Sequence, residues 1–187
     1  VIDVVTSLFV LLLLMPLFFF LAIKIKSESE GPVIYKQERI GLHGVPFIIY
    51  KFRTMYQDSE REGIPKLSCE NDERVTRFGK FMRKYRLDEL PQFYNVLKGE
   101  MSLVGPRPER RYFIDQIIQQ APYYQRLTNV RPGITSWGMV KFGYANTVEK
   151  MIERSRFDIS YMENMSLIID IKILIYTIKT IFTGKGL

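Results

Sequence analysis

Cysteine and histidine are almost missing from this 187-residue sequence, with one of each. A lone Cys69 excludes an internal disulfide, which fits a reducing compartment and decides nothing further. A lone His43, in a Gly-His-Gly loop, excludes a His/Cys zinc site, which needs several such ligands. It is also badly placed to be the general base of a hydrolase. The sequence has no internal repeat and no low-complexity tract. No small-residue cleavage site follows its one long apolar run, so a removed signal peptide is a poor reading. An initiator methionine is absent too, and the start at Val1 leads us to expect further native residues before it. Acidic residues are the minority, 20 against 27 basic, for a net charge of +7. That excess favours anionic partners such as lipid headgroups or nucleotides. Nucleic acid is not expected, because the basic residues come with membrane-type apolar neighbours and no recognition motif. The length suits one domain with a real core.

The apolar run itself, Val4 to Ile23, carries no charge and is bounded by Asp3 and Lys24. As a helix it would reach about 30 Å, the thickness of a bilayer core. Pro16 interrupts it, removing one donor and pushing away the carbonyl of Leu12. Two outcomes stand open from the residues alone: a kinked span, or a helix–break–helix that enters and leaves by one face. In either, Lys24 and Lys26 sit at the interface with the remaining domain on the cytoplasmic side.

A polar linker, residues 27–32, leads into β-rich runs at 33–35 and 47–50, separated by a turn region at 41–46. This pattern predicts a hairpin. Lys51 and Arg53 extend the second arm on one strand face. They are either solvated charges or phosphate contacts. Residues 57–73 are polar and acidic, a surface loop. Residues 72–86 predict a helix N-capped by Thr76. Between Arg74 and Arg86 there are six basic residues and no acidic one, interleaved with Phe78, Phe81, Met82 and Tyr85. Such a basic amphipathic helix suits an anionic membrane surface as well as it suits plain solvent.

Two carboxylates follow, Asp88 and Glu89, in Leu-Asp-Glu-Leu-Pro. Pro91 fits the first turn of a new helix ending near Gly99, with Asp88 as its N-cap. Adjacent helical residues lie ~100° apart, so the pair is not expected to share a proton. Separate roles suit them better: a carboxylate at a helix N-terminus is held ionised, ready as a nucleophile or Mg²⁺ ligand. In Gly105-Pro106-Arg107-Pro108, two prolines fix the backbone around one arginine, which suits bidentate phosphate binding. The bland alternative is a stiff turn with Arg107 in water.

Residues 109–120 predict an amphipathic helix stopped by Pro122, and 131–135 another Pro-Gly turn. Arg131 joins Lys51, Arg53 and Arg107 as a phosphate-binding candidate. Trp137 is expected in the core. Residues 149–164 predict a helix carrying Asp158 and Tyr161 one turn apart, candidates for substrate or nucleotide contact. Residues 166–182 are strongly apolar, yet Asp170, Lys172, Tyr176, Thr177, Lys179 and Thr180 share half of the helical wheel. That favours a helix in the interface or on the core over a second span.

Residues 31–41 (GPVIYKQERIG), 51–55 (KFRTM), 87–92 (LDELPQ), 95–99 (NVLKG), 101–109 (MSLVGPRPE) and 131–135 (RPGIT) together resemble the bacterial sugar transferase family, the monotopic polyprenyl-phosphate phosphoglycosyl transferases. The short length resembles its small, PglC-like form, which acts on a bacillosamine-type sugar. The resemblance implies an α+β fold, mostly helical with a small β-hairpin. A re-entrant membrane helix would occupy residues 1–26, breaking at Pro16, and a cytoplasmic catalytic domain with amphipathic interfacial helices residues 27–187. It implies transfer of a sugar-1-phosphate from a UDP-sugar to undecaprenyl phosphate with release of UMP. The setting would be the cytoplasmic face of the bacterial inner membrane, among its phospholipids, at the first membrane step of glycoconjugate assembly and protein glycosylation. Asp88 would be the nucleophile, forming a phosphosugar–enzyme intermediate, with Glu89 as partner and Mg²⁺ at the two carboxylates. The chain departs from the family pattern in having Met15 where a serine commonly precedes the proline, and Ser136-Trp137-Gly138-Met139 where Gly-x-x-Gln is usual. The alternative of another class is a membrane-attached, anionic-lipid-binding module without catalysis, in which Asp88 is only a cap.

Overall fold

The computed structural model describes residues 1–57, 59, 67 and 72–184. Cys69 and most of the expected 57–73 loop lie outside the described residues. The apolar run folds as two helices, α1 (Ile2–Leu13) and α2 (Met15–Glu28), bent by 61°. The break falls at Leu14, two residues before the proline expected to make it. Pro16 lies in the first turn of α2, where its missing N–H would have had no intrahelical partner anyway. No single helix among the described residues is long and apolar enough to cross a membrane. Helix α2 runs on to Glu28, past the boundary expected at residue 26.

Strands β1 (Ile34–Ile40) and β2 (Pro46–Phe52) form the expected antiparallel hairpin, paired from Ile34 with Phe52 to Ile40 with Pro46. Helix α3 (Arg77–Lys84) starts at Thr76, whose hydroxyl accepts from the Gly79 amide at 2.9 Å. The Glu28 carboxylate accepts from the Phe78 amide at 2.9 Å, so the end of α2 caps the start of α3. Leu21 and Ile25 of α2 then pack with Phe52 and Met82 into one buried cluster.

Helix α4 (Gln92–Leu97) is N-capped by Pro91, not by Asp88. Asp88 lies in a separate 3₁₀ turn, Leu87–Glu89, and its side chain caps nothing. The reason is upstream: Arg86 takes a left-handed conformation (φ 53°), which turns the chain sharply before the helix begins. Gly99, at φ 77°, ends α4 as expected.

A second sheet was not anticipated. Strands β3 (Ser102–Val104) and β4 (Gly133–Thr135) pair in parallel across the intervening residues 105–132, which hold α5 (Arg111–Gln120) and a 3₁₀ run, Pro122–Asn129. Their backbones approach so closely that a Cβ on Gly133 would stand 2.1 Å from the Gly105 nitrogen. Gly133→Ala is therefore expected to lower stability by about 3 kcal/mol, read as a drop in melting temperature. An unchanged melting temperature would mean that this approach is not needed.

Helices α6 (Trp137–Lys141), α7 (Val148–Glu163) and α8 (Leu167–Thr183) complete the chain. Phe113, Ile114 and Ile117 of α5 meet Met151 of α7 in the largest buried cluster. Helix α8 is inverted relative to an ordinary surface helix. Two of its polar residues, Asp170 and Thr177, face the domain: the Tyr161 hydroxyl donates to Asp170 at 2.7 Å, and the Thr177 and Thr135 hydroxyls pair at 2.7 Å. Its exposed stripe is Ile168, Ile171, Ile175, Ile178 and Phe182, with only Ile173 buried.

Candidate active site

Charged side chains from β1, β2, the end of α3, the Pro-Arg-Pro loop and α7 converge on a cavity of about 480 Å³. Of the described residues that line it, eight are basic (Arg39, Lys51, Arg53, Arg83, Arg86, Arg107, Arg110 and Arg154) and three acidic (Asp88, Glu89 and Glu109). Among these described lining residues basic side chains outnumber acidic ones by five, a setting for a polyanionic ligand.

Both carboxylates of the pair are buried, but their surroundings differ. Glu89 is caged. Its Oε1 accepts from Lys51 Nζ at 2.9 Å and from Arg107 at 3.3 Å, and its Oε2 faces Arg86 at 3.5 Å. Burial alone would raise its pKa. The fields of Lys51, Arg107 and Arg86 and the Lys51 hydrogen bond outweigh burial, holding it far below the usual carboxylate range. Asp88 has no salt bridge or hydrogen bond of this kind among the described residues. Burial raises its pKa and the neighbouring Glu89 charge adds to that, against opposing fields from Lys51, Arg83 and Arg86. One carboxylate is thus fixed as an anion among cations, while the other is desolvated and left open to the cavity.

Arg107 reaches this cage because its loop is held at both sides. The Gly133 amide donates to the Pro106 carbonyl at 2.9 Å and the Gly105 amide to the Thr135 carbonyl at 3.0 Å. The Glu89 and Glu109 charges raise the Arg107 pKa against burial, which lowers it, so its charge is permanent. Glu109, itself buried, bonds Arg154 at 2.6 Å and Arg39 at 3.2 Å, and stands 3.8 Å from Arg107. An alternating ladder results: Lys51, Glu89, Arg107, Glu109, then Arg39 and Arg154. Met139 of α6 places its sulfur 3.2 Å from Arg107 and 3.8 Å from Arg86.

The other expected phosphate contacts divide. Lys51 is in the cage. Arg53 lines the cavity, but its guanidinium donates to the carbonyls of Ser29 (2.6 Å) and Glu30, closing the C-terminal end of α2. Arg131 is exposed and does not line the cavity; its carbonyl backs onto Gly105.

Asp158 and Tyr161 also lie off the cavity wall, buried in the domain. Asp158 accepts from the Gly138 amide at 2.7 Å, and burial pushes its pKa up to about 6 against that hydrogen bond and the Arg154 charge. It therefore braces α6, whose Met139 sulfur touches Arg107. Arg39, Arg86, Glu109, Met139 and Arg154 were not singled out from sequence. The one available signal was the i,i+4 spacing of Arg154 and Asp158, which sets both on one face of α7.

The metal expected at Asp88 and Glu89 can be weighed against this donor set. No group of three or more His, Cys, Asp or Glu side chains among the described residues could hold an ion. Magnesium often takes only one or two carboxylates together with substrate phosphates. Asp88 meets that requirement, whereas both oxygens of Glu89 are engaged by cations.

The family model described as bacterial sugar transferase matches residues 1–184. Among curated proteins, the chain is 46% identical over 184 residues to the UDP-N-acetylgalactosamine-undecaprenyl-phosphate N-acetylgalactosaminephosphotransferase of Aeromonas hydrophila, covering 98% of this chain and 43% of that protein. It is 40% identical over 186 residues to the UDP-glucose:undecaprenyl-phosphate glucose-1-phosphate transferase of Escherichia coli, covering 98% and 40%. The transferase of the same description from Caulobacter vibrioides is 40% identical over 185 residues, covering 98% and 69%. The chain thus spans well under half the length of the first two relatives.

Proposed function

The chain belongs to the bacterial sugar transferase family, and from that premise we propose that it is a phosphoglycosyl transferase, moving a sugar-1-phosphate from a UDP-sugar to undecaprenyl phosphate. The observation that carries this reading is the pairing of an open, desolvated carboxylate, Asp88, with a cavity in whose described lining basic side chains outnumber acidic ones. A diphosphate donor would bring anionic charge to match that excess.

In the proposed mechanism the Asp88 carboxylate oxygen attacks the phosphorus bonded to the sugar. The bond from that phosphorus to the UMP oxygen breaks, UMP leaves with the electron pair, and an aspartyl-phosphosugar forms. A phosphate oxygen of undecaprenyl phosphate then attacks the same phosphorus. The bond to Asp88 breaks, restoring the carboxylate and giving the lipid diphosphosugar. No net proton is consumed. Each step exchanges one phosphate ester or anhydride for another, so one site serves both acceptors in turn. Arg107, Arg86 and Lys51 hold the charge that moves between the oxygens, and Glu89 keeps those three cations in place. Mg²⁺ would be held by Asp88 with the donor diphosphate, shielding its charge.

For the donor we propose an N-acetylated UDP-sugar, the class named for the relative at 46% identity. Relatives named for glucose stand at 38–40%. The bacillosamine-type narrowing rests on the sequence resemblance alone. We place the enzyme monotopically on the cytoplasmic face of the bacterial inner membrane. Support for re-entrance comes from both arms of the bent pair returning to the domain. Asp3 of α1 accepts from the Ser102 hydroxyl, and α2 packs on α3. The exposed apolar faces of α1, α2 and α8 supply the surface that lipid would cover.

The test is UMP release from UDP-N-acetylgalactosamine, UDP-N-acetylglucosamine, a bacillosamine-type UDP-sugar and UDP-glucose, each with and without undecaprenyl phosphate and Mg²⁺. Lipid-dependent UMP release, fastest with an N-acetylated donor, is the expected result. Release fastest with UDP-glucose would refute the donor assignment. No release with any of them would leave the catalytically inert lipid-binding module as the better reading.

A further inference from the structure

We infer that Lys141 and Lys172, set on the Trp137–Tyr176 ring pair, form a site for the headgroup of an anionic glycerophospholipid, distinct from the catalytic cavity. This rests on the membrane-surface reading above but not on the transfer reaction. Trp137 of α6 and Tyr176 of α8 meet edge to face, with centroids 6.0 Å apart. Lys141 Nζ lies 4.8 Å from the Trp137 centroid and 4.6 Å from that of Tyr176, and Lys172 Nζ lies 5.7 Å from Trp137. Both lysines are exposed, and neither has a carboxylate partner among the described residues. The rings attract each ammonium through their negative faces. They also hold two like charges at the one Trp137 ring, with no carboxylate among the described residues to neutralise either. A phosphate between the two would do so.

The class of ligand follows from what adjoins the lysines. On the α8 wheel, Lys172 and Lys179 border the exposed stripe of Ile168, Ile171, Ile175, Ile178 and Phe182. Charge therefore gives way to an uninterrupted apolar strip within one helical turn. An acidic protein partner would be matched by a polar rim around an apolar centre. A phospholipid instead carries its phosphate directly above its acyl chains, in the same order as this edge. Trp and Tyr at that border match the aromatic side chains enriched at membrane interfaces, with the lysine stems along the apolar edge. The catalytic cavity is lined by none of these four residues.

The experiment uses the full chain and sucrose-loaded vesicles of phosphatidylcholine, alone or with phosphatidylglycerol, at low ionic strength. Lys141→Gln/Lys172→Gln is expected to bind phosphatidylglycerol vesicles roughly tenfold or more weakly, from the loss of two charges near the surface. Its binding to pure phosphatidylcholine should be unchanged. Lys141→Arg/Lys172→Arg should keep wild-type binding. The proposal is overturned if the Gln variant keeps its phosphatidylglycerol affinity, or loses phosphatidylcholine binding equally. It is also overturned if millimolar inorganic phosphate displaces the protein from phosphatidylglycerol as effectively as the Gln changes do, which would mark an ion site. Melting temperatures of both variants establish that they are folded. UMP release in phospholipid-free detergent reads the transfer reaction separately. The Gln variant should match wild type there, and absence of release in wild type would sink the transfer reading while leaving the vesicle result intact.

Discussion

Asp88→Asn should lose lipid-dependent UMP release by at least about a thousandfold, because the amide cannot attack phosphorus as a carboxylate does. Its melting temperature should hold steady or rise. The sign follows from the site: burial raises the Asp88 pKa, so the ionised carboxylate is disfavoured in the fold at neutral pH. Replacing it with a neutral isostere removes that penalty. The side chain caps no helix, so no capping energy is lost either. Loss of activity with stability kept is the signature of a residue retained for chemistry. A variant that keeps its activity and loses about 1 kcal/mol, as a helix cap would, contradicts the account.

Glu89→Gln should behave in the opposite way. Removing this carboxylate strands Lys51, Arg86 and Arg107 around an uncharged group. The expected loss is about 3–5 kcal/mol of stability, typical of breaking one partner from a buried ion pair. Activity should fall with it, since Arg107 and Lys51 lose their fixed positions. The pH dependence is defined too. The folded-state pKa of Glu89 lies far below its ordinary value. Its contribution is therefore fully present above about pH 4.5 and is lost only as pH falls towards the lowered value. Thermal melts from pH 8 to pH 4 should show a constant gap between wild type and Glu89→Gln down to about pH 5. A gap that closes between pH 8 and pH 6 would mean that Glu89 is not the caged anion described here.

The two carboxylates and Arg107 were legible in the sequence because each stands beside a strong local signal: a proline-marked turn for Asp88 and Glu89, and a proline on either side of Arg107. Thr76 as a cap and the 34–52 hairpin were legible for the same reason. Glu109, Arg154 and Met139 were not, because what makes them part of the site is contact across distant stretches of chain. Arg154 meets Glu109 over 45 residues. The β3–β4 pair was missed because three-residue strands carry no usable period, and their partner choice depends on Gly105 and Gly133 approaching backbone to backbone. Asp88 looked like a cap because the left-handed turn at Arg86, which separates it from α4, leaves no mark in composition. Asp158 and Tyr161 looked available for substrate because an exposed polar stripe and a buried bracing pair read alike along a helix.

Intact-protein mass spectrometry after rapid quenching tests the central claim most directly, with detergent-solubilised protein mixed with Mg²⁺ and an N-acetylated UDP-sugar but no lipid acceptor. The expected result is a mass increase of one phosphosugar, released on adding undecaprenyl phosphate and absent in Asp88→Asn. Full turnover in the presence of lipid with no adduct at any time, or an adduct that persists in Asp88→Asn, would contradict it.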